Sequence, residues 1–254
     1  GLRVTGSELV GLVPKSALLD AGRHYLGKMG RSTGVPEAAV LHTAVRSLGL
    51  EELKPFDVET RVIEHRLAPP APLAKMTLRA FVDELSSDSP APGGGSVSAL
   101  AGALAAGLAA MVANLSHPRK GFESQQARLE EIAVRAQQLK EDLITAVDAD
   151  TQAFDALLAA MRLPKASADE QALRDAAMRD ATVAAIEVPL GALECCPDVI
   201  ELCREVAGIG LAASKSDAGV GVQMARAAAA GAYQNVCINL ASLDDPTRAR
   251  DLLA

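Results

Sequence analysis

The chain has 254 residues, 49% of them hydrophobic but only 2% aromatic, with no Trp. A core of that composition is made of Ala, Leu and Val, which suits close helix packing rather than a sheet sandwich. The net charge is −7, with no basic tract and no aromatic–basic interleaving, which argues against a nucleic-acid partner.

Four cysteines (Cys195, Cys196, Cys203, Cys237) form no C-x-x-C pair, and the four histidines (His24, His42, His65, His117) are scattered. No metal site is expected from them. The N-terminus carries no secretory signal, so reduced thiols in the cytoplasm are the expectation, with Cys195 and Cys196 packing in the core beside Pro197. The chain opens without Met and stops as a helical pattern begins at Asp251, which reads as a fragment of something longer.

In chain order, Glu8–Val13 reads as a buried strand stopped by Pro14. Ala17, Leu18, Ala21, Tyr25 and Met29 give a helical face, and residues 36–48 a second helix ended by Gly49. Residues 55–67 read as a short extended piece, so 1–67 form a small α+β unit. Residues 68–75 are a Pro-rich linker, stiff because repeated prolines favour an extended chain. From residue 76 to 254 the pattern is helical throughout, an up-and-down bundle in a chain that is mainly α. Thr77 caps a short helix carrying Leu78, Phe81, Val82 and Leu85.

The central helix follows the turn Pro90-Ala91-Pro92 and three glycines, Gly93, Gly94 and Gly95, with Ser96 at its start. Its amide N–H groups favour an anion or a carbonyl-rich ligand, and the glycines let a ligand reach the backbone. A flexible lead-in with Ser96 as the N-cap is the plainer reading of the same residues. Leu100, Leu104, Leu108, Met111 and Leu115 form one stripe, with Ala and Gly elsewhere, so the helix belongs in the middle of a bundle. It is long enough to span a bilayer, but it is rich in Ala and Gly and lacks aromatic belts, so no membrane is expected.

After a basic loop at His117–Gly121, a helix over about 124–161 carries Ile132, Ala136, Leu139, Leu143, Val147, Asp150, Phe154, Leu157 and Met161 on its inward stripe. Asp150 therefore stands where an apolar side chain is called for, and it needs a donor partner or a raised pKa. Asp148 points to the opposite face and is expected in solvent. Leu163-Pro164-Lys165 breaks the helix. A helix over 169–193, interrupted at Pro189, and another starting at Pro197 come next. On the last long helix, about 219–240, Met224, Ala228, Gly231, Asn235 and Asn239 share a face. Asn114, Asn235 and Asn239 are amides that either read a heterocycle edge or tie helices together.

Phe81-Val-Asp-Glu84, Pro90–Ser96, Met111–Asn114, Asp148–Asp150, Met161–Lys165 and Tyr233–Val236 with Asn239-Leu240 resemble the formiminotetrahydrofolate cyclodeaminase family from about Met76 onward. Gly6–Pro14, Leu48–Leu50 and Val62–Glu64 resemble the tail of a glutamate formiminotransferase domain, as in the fused bifunctional enzyme. The resemblance implies a helical homodimer in histidine degradation. It would bind a tetrahydrofolate derivative as substrate, with no metal, and close 5-formiminotetrahydrofolate to 5,10-methenyltetrahydrofolate and ammonia. Formimino transfer is not expected from this chain alone.

By the same resemblance Asp150 is the first candidate for proton transfer and Asp148 the second. Gly93, Gly94, Gly95 and Ser96 would cradle the pterin. Asn114, Asn235 and Asn239 would orient the ring. Arg119, Lys120 and Lys165 are candidates for the glutamate tail. Methenyltetrahydrofolate cyclohydrolase chemistry and a non-catalytic oligomerisation module are the alternatives.

Overall fold

The computed structural model describes residues 6–68, 72–243 and 246–251. Residues 69–71 of the Pro-rich linker, and the chain end at 252–254, lie outside the described residues. Four long helices carry the fold: α6 (Gly94–Ser116), α7 (Gln126–Met161), α8 (Ala168–Ile209) and α9 (Lys215–Leu240). Ahead of them come α1 (Lys15–Lys28), α2 (Glu37–Ser47), α3 (Val58–Arg61), α4 (Ile63–Leu67) and α5 (Leu78–Leu85), and α10 (Pro246–Asp251) follows.

The expected strand at Glu8–Val13 is absent: Val13 makes one isolated parallel bridge to Val62, and Val10 and Leu12 are exposed. The expected extended piece at 55–67 is instead the two short helices α3 and α4. A single bridge on either side of helices cannot grow a ladder, so among the described residues the opening unit is helical. Its own small core is Val13, Leu18, Leu41, Ala44, Val45, Leu50 and Val62. It joins the bundle through Thr33 and Gly34. Glu130 Oε1 on α7 accepts from the Thr33 amide at 2.7 Å and from its hydroxyl, and Asn114 Nδ2 on α6 donates to the Gly34 carbonyl at 2.7 Å. A Cβ at Gly34 would stand 2.5 Å from the Ala133 carbonyl carbon, so only glycine permits this approach.

Helix α6 packs against α7, α8 and α9, as expected of a central helix, chiefly through its small residues, while part of the leucine stripe stays exposed. Ala99, Gly102, Ala103, Ala105, Ala106, Ala109, Ala110 and Ala113 are buried, whereas Leu104, Met111 and Leu115 are exposed. Small side chains are what let three helix backbones close in at once. A Cβ at Gly102 would meet Leu143 Cδ1 at 3.1 Å, and one at Gly221 on α9 would meet Cys203 Sγ of α8 at 2.7 Å. Leucine on those faces would hold the helices apart.

Helix α7 buries Leu129, Ile132, Ala133, Ala136, Leu139, Leu143 and Val147 along the periodic stripe. Helix α8 runs unbroken through both Pro189 and Pro197, where the sequence suggests two helices. Packing against α6, α7 and α9 carries the helix through both positions, and each proline costs it one backbone bond. Ser167 starts it with a capping box to Glu170. The four cysteines are free thiols, and burial pushes those of Cys196 and Cys203 up to about 11.

Candidate functional site

The glycine turn, α7, α8 and α9 meet around a cavity of about 260 Å³. It is lined by Gly93, Gly94, Gly95, Asp150, Asn235 and Asn239, closed on its apolar side by Pro90, Ala91, Phe154 and Leu157. The Ala91–Pro92 peptide in the approach is cis.

Helix α6 begins at Gly94 with Gly93 as its N-cap, so Ser96 is not the cap but lies inside the first turn. There its side chain does other work. The Ser96 amide donates to Asp150 Oδ2 at 2.8 Å, and the Ser96 hydroxyl lies 3.0 Å from the same oxygen and 2.9 Å from the Val147 carbonyl. One hydroxyl proton serves one of those acceptors at a time. Ser96 is fully buried, so this arrangement fixes α6 and α7 relative to one another.

Asp150 thus has the donor its position demands. Burial nevertheless pushes its carboxyl above the ordinary aspartate range, and the Ser96 hydrogen bonds offset this only in part. Asp150 is the only charged side chain among the cavity-lining residues. A carboxyl with a raised pKa, in a partly apolar recess, is suited to accept a proton and then return it.

Gly95 faces the carboxyl so closely that a Cβ there would stand 2.5 Å from Asp150 Cγ, and nearer still to Oδ1. This contact explains one of the three glycines. At Gly93 a Cβ would meet open space, and at Gly94 it would meet Asn235 Nδ2 at 3.4 Å, an ordinary contact.

The amides on α9 each hold a backbone carbonyl. Asn235 Nδ2 donates to Gly231 O at 2.8 Å, and Asn239 Nδ2 donates to Ala185 O at 2.6 Å. The second bond has a cause in the sequence. Residue 189 would normally return an N–H to the carbonyl of Ala185, but it is proline, and Asn239 supplies the missing donor.

The other expected site residues lie elsewhere. Asp148 is not in solvent but buried, its Oδ1 and Oδ2 accepting from the amides of Leu73 and Ala74 at 2.9 and 3.0 Å. The helical period correctly turned it away from the bundle, but the chain entering α5 covers that side of α7. Asn114 ties α6 to Gly34 and is not a cavity residue. Arg119, Lys120 and Lys165 are exposed loop residues outside the lining. Thr151, whose hydroxyl lies 3.4 Å from that of Ser96, lines the cavity without having been singled out. Its place next to Asp150 was the available signal. Among the described residues no cluster of potential metal ligands occurs.

Comparison with known proteins identifies the family. Residues 77–254 match the family described as Formiminotransferase-cyclodeaminase, and residues 1–68 match Formiminotransferase domain. The formimidoyltransferase-cyclodeaminase of Gallus gallus is 37% identical over 247 residues, 96% of this chain and 46% of that protein. The chain thus spans about half the length of the curated relatives of this kind. A methenyltetrahydrofolate cyclohydrolase of Methylorubrum extorquens is 37% identical over 177 residues, 70% of this chain and 85% of that one. The crystal structure of formiminotetrahydrofolate cyclodeaminase from Thermotoga maritima superposes with a TM-score of 0.63 at 27% identity, covering 70% of this chain and 85% of that one. The family models and the shared fold show that the chain belongs to the formiminotransferase-cyclodeaminase family.

Proposed function

We propose that the helical bundle binds 5-formiminotetrahydrofolate and closes it to 5,10-methenyltetrahydrofolate with release of ammonia, a step of histidine degradation. The observation that carries this reading is Asp150, a carboxyl with a raised pKa held by Ser96 beside a glycine-lined cavity. The formimino group enters as a protonated amidine on N5. N10 attacks its carbon, and the proton N10 loses passes to the Asp150 carboxylate. Asp150 returns that proton to the amino group of the aminal, the C–N bond breaks, and ammonia leaves the methenyl cation behind. One group serving as base and then as acid is helped by a pKa raised toward the working pH, the direction in which burial moves Asp150. The α6 N-terminus, with no side chain at Gly93 to Gly95, admits the pterin against the backbone, and Asn235 and Asn239 border its edge.

The stripe Leu104, Met111 and Leu115 supports a homodimer, because a row of exposed large apolar side chains on a central helix is a surface another copy would cover. Free thiols and the net charge suit a cytoplasmic protein. The cyclohydrolase relative favours a second reading, in which water attacks 5,10-methenyltetrahydrofolate in the same cavity. Supplying each substrate decides between them: ammonia from the formimino compound supports the first, and 10-formyltetrahydrofolate without ammonia supports the second. Asp150→Asn should abolish turnover in a folded protein, and full activity in that variant would end the reading.

A further inference from the structure

Asp148 lies two residues before Asp150 and has no part in the cavity, yet it is a buried carboxylate with both oxygens engaged. Its partners, the amides of Leu73 and Ala74, belong to the segment that joins the opening unit to the bundle. The Leu73 side chain continues the contact, packing in one buried cluster with Phe81 of α5, Ala99 of α6 and Val147 of α7. Ala99 is three residues past Ser96, and Val147 is three before Asp150 and offers its carbonyl to the Ser96 hydroxyl. The segment is therefore pinned across the seam between α6 and α7, one turn from the Ser96–Asp150 hydrogen bonds.

We propose that Asp148 is a positioning residue for Asp150: by clamping residues 73 and 74 over the α6–α7 seam, it sets the Ser96–Asp150 geometry and makes the site respond to the segment that precedes it. The proposal rests on the reading of Asp150 given above. Two acceptor bonds to backbone N–H groups, that from Leu73 buried and that from Ala74 partly so, fix the segment's position, and Leu73 fixes the spacing of the helices beneath it. Loosening the clamp lengthens the Ser96 bonds that hold Asp150 down toward ordinary acidity. Among the described residues, the cavity lining holds no charged side chain besides Asp150.

The test is a carbon-13 NMR titration of the Asp150 side-chain carboxyl in the whole chain, for wild type, Asp148→Asn and Ala74→Pro. Ala74→Pro deletes one of the two donors without touching α7. The Asp150 midpoint should rise by about half a pH unit or more in Ala74→Pro, because hydrogen bonds to the charged form are weakened, and by less in Asp148→Asn, which also removes a neighbouring negative charge. The double variant should rise no further than the larger single one. An unmoved midpoint in folded variants, or shifts that simply add, overturns the proposal. If Asp148→Asn does not fold, Ala74→Pro alone decides by the same criterion. Ammonia release is assayed in parallel. A wild type that releases none sinks the functional reading while the midpoints still judge the clamp, and an active wild type with unmoved midpoints sinks the clamp alone.

Discussion

Ser96 presents two donors, its backbone N–H and its hydroxyl, to the same oxygen of Asp150, and leaves the other oxygen, Oδ1, beside Gly95. The carboxyl is therefore held by one edge. Its pKa reflects a contest in which burial outweighs those bonds.

The sign of that contest is measurable in stability. A carboxyl whose folded pKa lies above its unfolded value favours the fold at low pH, and that contribution is lost as pH rises through the folded value. At neutral pH the charged form works against folding, so Asp150→Asn should melt at or above the wild-type temperature. The gap should close as pH falls below the ordinary aspartate range. Differential scanning calorimetry across pH checks it, and a clear loss of stability at pH 7 contradicts the assignment.

Gly95→Ala places a methyl group inside the Asp150 carboxyl. The side chain must swing away from Ser96 or the helices must part. Displacement of a reacting group by about 1 Å costs on the order of 100-fold in rate, so kcat should fall by about that factor. Steady-state kinetics, beside a melting curve that shows the variant folded, read the outcome.

Pro189→Ala restores an N–H directed at the Ala185 carbonyl and competes with Asn239 for it. Asn239→Ala instead leaves that carbonyl without its side-chain partner, at a cost of about 1–3 kcal/mol if water does not replace it. Combined, the two changes should be less destabilising than Asn239→Ala alone. Urea unfolding of the single and double variants measures the difference.

Glu130 joins the opening unit to α7. Burial raises its pKa, but the Ser32 and Thr33 donors and His117 outweigh it, so the carboxyl lies below the ordinary glutamate range. A depressed carboxylate stabilises fully above its unfolded pKa and loses that contribution as pH falls through the folded value. Hydrogen exchange at the Thr33 amide should accelerate relative to the bundle core as pH is lowered through that range, after correction for intrinsic rates. Glu130→Gln should show faster exchange there already at neutral pH.

Leu104→Glu puts a charge in the middle of the exposed stripe, where the side chain is 50% accessible. The folded subunit should tolerate it, and the proposed homodimer should not. Sedimentation velocity is expected to show monomer for the variant and dimer for wild type.

Periodicity located the long helices and singled out Asp150, because a carboxylate in an apolar stripe is a local, one-dimensional signal. It did not say which side of α6 is buried most deeply. A helix that is apolar all round gives no moment to orient it, and in close packing the small residues, not the large ones, face the centre. The burial of Asp148 was hidden for a related reason: its partners are backbone amides of Leu73 and Ala74, 75 and 74 residues away, and amides carry no sequence signature. The unbroken α8 ran against a sound local rule about proline, overridden by packing against α6, α7 and α9. Asn114 was chosen for its residue type, and only Gly34 shows what that amide holds.

Pro189 has one more consequence. By leaving a carbonyl of α8 unserved, it draws Asn239 across from α9 and so determines which way an amide at the cavity wall is turned. A residue with no polar side chain and no place in the lining thereby sets the hydrogen-bonding polarity that the proposed ring would meet at this wall.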